Sequence, residues 1–307
     1  MKIIITGCLG HIGSALIREL PNLLPDCEIT GLDNFRSQRY CSLFNLSKDN
    51  FTFVEADVRS IDLMGLFSGC DVVIHLAAIT DAASSFDNAK EVEDNNFLST
   101  KAVAEACKVS KVRLISLSST SVYGTQNGLV TEDCGDEELN PQSPYASTKL
   151  KEEKLLESLS NDSIGFTCLR FGTIFGKSPG MRFHTAVNKF CWQASNDIPI
   201  TVWSSAYDQV RPYLSLDDAV DAFAHIIKNN LFEGYQLFNV LTGNYSVKDV
   251  IKTIEIFRPG IKVEFVDSQI MNQLSYNVSN DKFKNTGFTV RGSLKRSIKE
   301  TIELLCD

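Results

Sequence analysis

Along the first half of this chain, apolar and polar positions follow two alternating rhythms. Short, nearly continuous runs of Val, Ile and Leu are separated by longer stretches with helical spacing. "KIIITG" predicts a buried strand, followed by a helix from Ser14 to Leu20 that Pro21 stops. "EITGLD" and "FTFVEADV" predict a second and a third strand. "DVVIHLAA" predicts a fourth, ahead of a helix from about Asn95 to Ser110. "VRLISLSS" is the fifth, Tyr145 to Leu159 is a helix rich in Lys, Glu and Leu, and "GFTCLRFG" is the sixth. Strands apolar on both faces are those that helices cover on both sides. The pattern therefore predicts an α/β fold, a Rossmann-type doubly wound parallel sheet.

After Gly176 the rhythm loosens. "GKSPGMRF" is turn-rich, and "VRPYLSLDDAVDAFAHII" reads as a strand leading into a helix that returns to the first unit. The expected division is a dinucleotide-binding domain of residues 1–176 plus about 209–230. A smaller mixed α/β C-terminal substrate domain takes about 177–208 plus 231–307.

Composition narrows the partners. With 43% hydrophobic and 22% charged residues in 307, the chain has the make-up of a soluble globular protein. A net charge of −8 argues against a nucleic-acid or anionic-membrane binder, but leaves room for an anionic small ligand held by a few Arg and Lys. The first apolar run is too short for a secretory or membrane segment. The nine cysteines are odd in number and scattered, with no CxxC and no Cys/His cluster. Reduced thiols, no metal site and a cytoplasmic location are expected.

Candidate chemistry begins at "TGCLGHIG". Gly7, Gly10 and Gly13 sit between a predicted strand and a predicted helix, where glycines let backbone N–H groups approach a pyrophosphate at the helix N-terminus. His11 and Ile12 are counted with this cradle, His11 as no more than a minor phosphate contact, while Cys8 has no chemical role. Asp33 ends the second strand 20 residues after Gly13. Its carboxylate suits adenosine ribose hydroxyls and repels a 2′-phosphate, so NAD is favoured over NADP, although Arg36 nearby argues the other way. Asn34 shares that turn. In "YASTK", Tyr145 and Lys149 lie one turn apart on one helix face, and "LSSTSVYG" sits at the C-terminal end of the fifth strand. A Ser hydroxyl, a Tyr and a Lys there form a proton-transfer set, in which the ammonium and a positive nicotinamide make the Tyr more acidic. The competing reading of YxxxK is a surface helix with a solvated Lys.

Taken in order, "TGCLGHIG", "LDN", "ADV", "HLAA", "NNFLST", "LSSTSVYG", "SPYASTK", "LRFGTIFG", "MRFHTAVNKF", "ITVW" and "VRPYLSLDDAVDA" resemble the extended short-chain dehydrogenase/reductase superfamily. Within it they are similar to the NAD-dependent nucleotide-sugar epimerases and dehydratases, closest in type to UDP-galactose 4-epimerase-like enzymes. The resemblance runs over essentially the whole chain. It implies tightly bound NAD, a nucleotide-diphosphate sugar substrate, and a homodimer formed through the helices near 95–110 and 145–159.

Residue by residue, the resemblance implies that Asp57 and Val58 hold the adenine and that Leu76, Ala77, Ala78 and Phe171 line the cofactor, with Asn96 ordering the site behind the nicotinamide. Ser119, Tyr145 and Lys149 become the catalytic set. On the substrate side, Asn188 and Arg211 match diphosphate contacts, Val202 and Trp203 lie beside the base, and Ser84, Thr120 and Thr173 lie near the sugar, with Tyr276 joining from the C-terminal part. Arg182, Lys189 and Arg211 supply local positive charge.

Two departures bear on the reaction. The 4,6-dehydratases carry Asp-Glu before "VYG" and the decarboxylating members a Glu, whereas this chain has Thr120 and Ser121, neither a carboxylic acid. His184 replaces the Asp expected after "MRF". The expected activity is a nucleotide-sugar 4-epimerase working through a transient 4-keto sugar. The alternatives are a C4 oxidoreductase with net cofactor turnover and a non-catalytic nucleotide-binding protein, whose expected mark would be loss of the Tyr or Lys of YxxxK.

Overall fold

A computed structural model describes residues 1–47, 49–80, 84–160, 164–267 and 275–306. The first half runs β1 (Lys2–Thr6), α1 (His11–Leu23), β2 (Glu28–Asp33), β3 (Phe51–Glu55), α2 (Leu63–Phe67), β4 (Val72–His75), α3 (Ala89–Ser110) and β5 (Arg113–Ser119). It continues through β6 (Leu129–Val130), α4 (Pro144–Leu159), β7 (Phe166–Phe171), β8 (Thr173–Phe175), α5 (Ala186–Ser195) and β9 (Ile200–Trp203). The chain closes with β10 (Val210–Ser215), α6 (Leu216–Lys228), β11 (Tyr235–Val240), β12 (Gly243–Ser246), α7 (Val247–Phe257), β13 (Val263–Val266), β14 (Asn277–Val278), α8 (Asp281–Lys284) and α9 (Leu294–Cys306).

Seven strands form one parallel sheet in the order β11-β7-β5-β4-β1-β2-β3. The strand order reverses between β1 and β4, which opens the crevice where doubly wound sheets bind ligands. Alternate residues along each strand serve the two faces. Ile3, Ile5, Ile74, Ile115 and Leu169 pack with α1 and α6, while Ile4, Val73, Leu114 and Cys168 pack against α2, α3 and α4. All nine are at most 4% exposed. Each fully buried aliphatic side chain stabilises the fold by roughly 1.5–3 kcal/mol, so the sheet is a rigid platform for the loops at its edge.

A second core gathers Phe175, Val187, Phe190, Ile200, Val202, Val250, Ile254 and Ile298 between α5, α7, α9 and β9. Around it lie the β12-β10-β8 sheet and the parallel pair β13-β9, while the parallel pair β14-β6 belongs to a separate small cluster with Val122, Tyr123, Leu241 and Tyr276. No helix among the described residues is long and apolar enough to cross a membrane.

The structure corrects the expected division in two places. β11, assigned to the substrate side, is the edge strand of the large sheet and pairs with β7 from Tyr235↔Phe166 to Val240↔Phe171. Its Phe238 and Val240, together with Phe283 and Phe288 further on, belong to the first core. Conversely, β10 joins the small sheet, and only its following helix α6 returns to pack on α1. The first helix also differs from expectation, starting at His11 and carrying Pro21 in its last turn. There the proline forfeits a single hydrogen bond, and Leu24 N–H still donates to Leu20 O at 2.8 Å.

Candidate active site

Strand β1 ends in a loop that turns directly into α1. Gly7 has φ +69°, and a Cβ added there would stand 2.7 Å from Ala77 N, so this backbone touches the loop after β4. Helix α1 has no side-chain cap at Gly10, and its first-turn amides face a cavity of about 350 Å³. Gly7, Gly10, His11, Ile12, Gly13, Asp33, Asn34, Asp57, Val58, Leu76, Ala77 and Ala78 all line it. A donor set of backbone amides at a helix N-terminus fits a pyrophosphate.

The Asp33 carboxylate ties the wall together, accepting from Leu9 N–H at 3.1 Å and from Phe35 N–H at 3.0 Å. Burial raises its pKa against the lowering effect of these bonds and of Arg39. Asp57 is held in a fork by Arg59 at 3.0 and 2.9 Å and receives the Asn34 amide at 3.0 Å. The Arg59 hydrogen bonds hold this carboxyl far below the usual range despite partial burial. Asn96, fully buried, clamps the loop after β4 by exchanging hydrogen bonds with Ile79 N–H and C=O at 2.7 and 2.8 Å.

His11 departs from expectation. Its Nε2 lies 2.8 Å from Gly176 O, and burial pulls its pKa down to about 3, so the ring is neutral and Nε2 is the donor. Nδ1 is then an acceptor, without a hydrogen-bond partner among the described residues. An acceptor does not bind phosphate oxygen. The side chain instead fastens α1 to the end of β8, and only the His11 backbone belongs to the cradle. Cys8 is fully buried under Gly31, and burial pushes its thiol pKa far up. All nine cysteines are free thiols.

A second cavity, of about 370 Å³, opens from the first across Leu76, Ala77, Ala78 and Leu117. Ser119 reaches it from the end of β5. Its Oγ accepts from Ser121 N–H at 3.2 Å and from Ser121 Oγ–H at 2.9 Å, leaving its own hydrogen to donate. Tyr145 and Lys149 reach it from the start of α4, which is capped by Ser143 Oγ accepting from Ala146 N–H at 3.2 Å, with Pro144 in the first turn. Lys149 Nζ lies 5.9 Å from the Tyr145 ring centre. Helix α4 is fixed to β7 by a buried fork, Arg170 to Glu153 at 2.9 and 2.7 Å. Arg170 also donates to Tyr123 Oη, which donates to Asn239 Oδ1.

The remaining wall brings together Phe171, Thr173, Thr120, Val202, Trp203, Arg211 and Tyr276, with Arg182, His184 and Lys189. Thr120 Oγ1 lies 3.3 Å from Tyr276 Oη, tying the C-terminal part to the β5 turn. Ser84 opens a short turn, Ser84–Phe86, and its side chain lies outside the described residues. Asn188 is a correction. It is fully buried, and among the described residues its amide bonds Gly176 and the Arg182 carbonyl, at 3.1 to 3.3 Å. Successive residues on a helix point about 100° apart, so Lys189 faces the cavity and Asn188 braces the loop instead.

Among the wall residues the sequence did not single out, Arg39 lines the first cavity beside Asp33 and Ser118 lines the second next to Ser119. Serines in an "SSTS" run differ only by which way the strand end turns them.

Residues 3–240 match the NAD dependent epimerase/dehydratase family. The chain is 30% identical over 319 residues to a trifunctional UDP-glucose 4,6-dehydratase/UDP-4-keto-6-deoxy-D-glucose 3,5-epimerase/UDP-4-keto-L-rhamnose-reductase of Arabidopsis thaliana. That alignment covers 98% of this chain and 46% of that protein, so the chain spans about half the length of the Arabidopsis relatives it matches. It is 31% identical over 249 residues to a UDP-glucose 4-epimerase of Mycolicibacterium smegmatis, covering 79% and 78% of the two chains. It is also similar to the structure of a variant UDP-glucuronic acid 4-epimerase from Bacillus cereus, in complex with UDP-4-deoxy-4-fluoro-glucuronic acid and NAD. There the TM-score is 0.87 and the identity 27%, over 99% of both chains. The chain belongs to the NAD dependent epimerase/dehydratase family.

Proposed function

We propose that this protein is a UDP-sugar 4-epimerase acting through a transient 4-keto sugar. The observation that carries the reading is the lining of the second cavity. It contains Ser119, Tyr145 and Lys149, and no Asp or Glu among the described residues. Elimination of water across C5 and C6 needs a carboxylic acid and base at the sugar. The positions that bear them in dehydratases hold Thr120 and Ser121.

NAD fits the first cavity through the amides of the glycine loop, with Asp33 at the ribose and Asp57 and Val58 at the adenine. When bound, it supplies a reversible two-electron acceptor for C4 of the sugar. Tyr145 Oη takes the proton from the sugar 4-OH while Ser119, with both its lone pairs occupied, donates to O4. Lys149 keeps positive charge beneath the Tyr145 ring. After the keto sugar turns over, Tyr145 returns the proton to O4 on the other face. Arg211, Arg182 and Lys189 hold the diphosphate while the sugar rotates, and Val202 and Trp203 flank the base.

The test is a panel of UDP, GDP, CDP and dTDP sugars, with UDP-glucuronic acid included, read by NMR. The expected result is C4 inversion of a UDP sugar with no net change in nicotinamide absorbance, lost by at least about 10³-fold in Tyr145→Phe. A released ketone with stoichiometric absorbance change would support the net oxidoreductase instead. A Tyr145→Phe variant turning over at the parent rate would remove the catalytic assignment.

A further inference from the structure

Adjacent glutamates on α4 each meet a buried cation. Glu153 belongs to the Arg170 fork. Glu152 turns to the catalytic lysine, and Lys149 Nζ donates to its Oε2 at 2.8 Å, with the two side chains only 6% and 2% exposed. The other carboxylate oxygen, Oε1, has no hydrogen-bond partner of good geometry among the described residues, although the Thr100 hydroxyl of α3 lies against the carboxylate. A surface ion pair at this spacing contributes only tenths of a kcal/mol. A buried carboxylate with one oxygen unsatisfied is costly, and an apolar side chain would pack there at less cost. Packing alone therefore does not account for a glutamate at this position.

The charges facing the pair come from several elements. His75 on β4 is neutral, its pKa pulled down to about 3 by burial and then by Lys149. Tyr145 and Glu153 share α4, Cys168 faces the pair from β7, and Tyr235 on β11 lies against Cys168. Arg170 is matched by Glu153. Burial pulls the Lys149 ammonium pKa down, Glu152 and then Tyr145 push it up, and the balance lies above the ordinary lysine value.

We propose that Glu152 is a positioning residue that holds Lys149 as an ammonium one turn below Tyr145, so that the cation serves the cofactor ribose and the tyrosine at alkaline pH. The inference rests on the role given to Lys149 under the proposed function. Without the carboxylate, burial dominates and the lysine gives up its proton at a lower pH.

The test is Glu152→Gln, with Glu152→Asp as the variant that keeps a carboxylate. NAD⁺ binding to the sugar-free protein is measured by calorimetry from about pH 7 to about pH 10, alongside the kcat/KM profile. The parent and Glu152→Asp are expected to hold NAD⁺ evenly across this range. Glu152→Gln is expected to bind normally near neutrality, then weaken about tenfold per pH unit above a single deprotonation, with the alkaline limb of kcat/KM falling by at least about one unit. Parallel profiles for parent and Glu152→Gln, equal or uniformly reduced, would overturn the proposal. Should Glu152→Gln not fold, NMR of the ¹³Cε-lysine-labelled parent decides. Lys149 is expected to titrate above the surface lysines, and titration at or below them would overturn it. Neither NAD⁺ binding nor NMR needs a sugar, so a failed epimerase reading leaves these results standing and is told apart from a failure here.

Discussion

Substituting the glycines of the N-terminal loop separates what holds the fold from what holds the cofactor. Gly7 has φ +69°, and a Cβ there would meet Ala77 N at 2.7 Å and Ala77 Cα and Leu76 C at 2.8 Å. These are backbone atoms and cannot swing aside. Left-handed backbone costs an L-residue roughly 1–2 kcal/mol, and overpacking about 1–3 kcal/mol. Gly7→Ala should therefore lose roughly 2–5 kcal/mol, a Tm lower by roughly 5–15 °C for a domain of this size. At Gly10 the nearest atom to an added Cβ is Gly7 O at 3.3 Å, and φ is −67°. Gly10→Ala replaces an acceptable helix N-cap with a poor one, a loss of about 1 kcal/mol. Its methyl stands where the backbone must approach the pyrophosphate, so NAD⁺ affinity should fall at least about tenfold. Thermal melts without cofactor and calorimetric titration with NAD⁺ read the two effects apart. Equal Tm losses in the two variants, or parent affinity in Gly10→Ala, would refute the reasoning.

Two further outcomes follow from the buried polar groups and the exposed helix surface. His11 and His75 both have pKa values pulled down to about 3 in the fold, below the unfolded value of 6.5. Their contribution is therefore complete above about pH 6.5 and is lost as pH falls from there towards 3. Each adds about 1.4 kcal/mol of lost stability per pH unit in that window. In cofactor-free urea melts at about pH 5, His11→Gln should show a pH slope shallower than the parent by nearly one proton, and an unchanged slope would show that His11 is not buried neutral. Helices α3 and α4 pack on each other and leave Leu98 and Val109 of α3 exposed, so we expect a homodimer through this pair. Light scattering should give twice the chain mass, reverting to a monomer in Leu98→Glu. A monomeric parent would remove the expectation.

The inner strands β1 and β4 are legible because their apolar runs are unbroken, as parallel strands covered on both faces require. β11 is not, because "YQLFNV" is an edge strand with half-buried Tyr235, Gln236 and Leu237, and the small sheet separates it from the others along the chain. Tyr145 and Lys149 can be paired from the sequence because four residues span about one helical turn, whereas spacing leaves the serines of "SSTS" open and only the family resemblance singles out Ser119. Asn188 was misassigned because sequence does not reveal which of two neighbours on α5 faces the cavity. Glu152 has no signal at all. In "KLKEEK" a glutamate reads as solvated, and only the packing of α4 on α3, β5 and β7 closes water away from it.

The central claim is that Ser119, Tyr145 and Lys149 move only the O4 proton, while the C4 hydrogen, which bound NAD would carry as hydride, returns to the same sugar without exchange with solvent. A UDP sugar deuterated at C4, converted by the enzyme in ordinary water and read by NMR, tests this most directly. The account predicts an inverted product that keeps its deuterium at C4, with no free ketone. Deuterium lost to water, or accumulated in released reduced cofactor beside a 4-keto sugar, would contradict it.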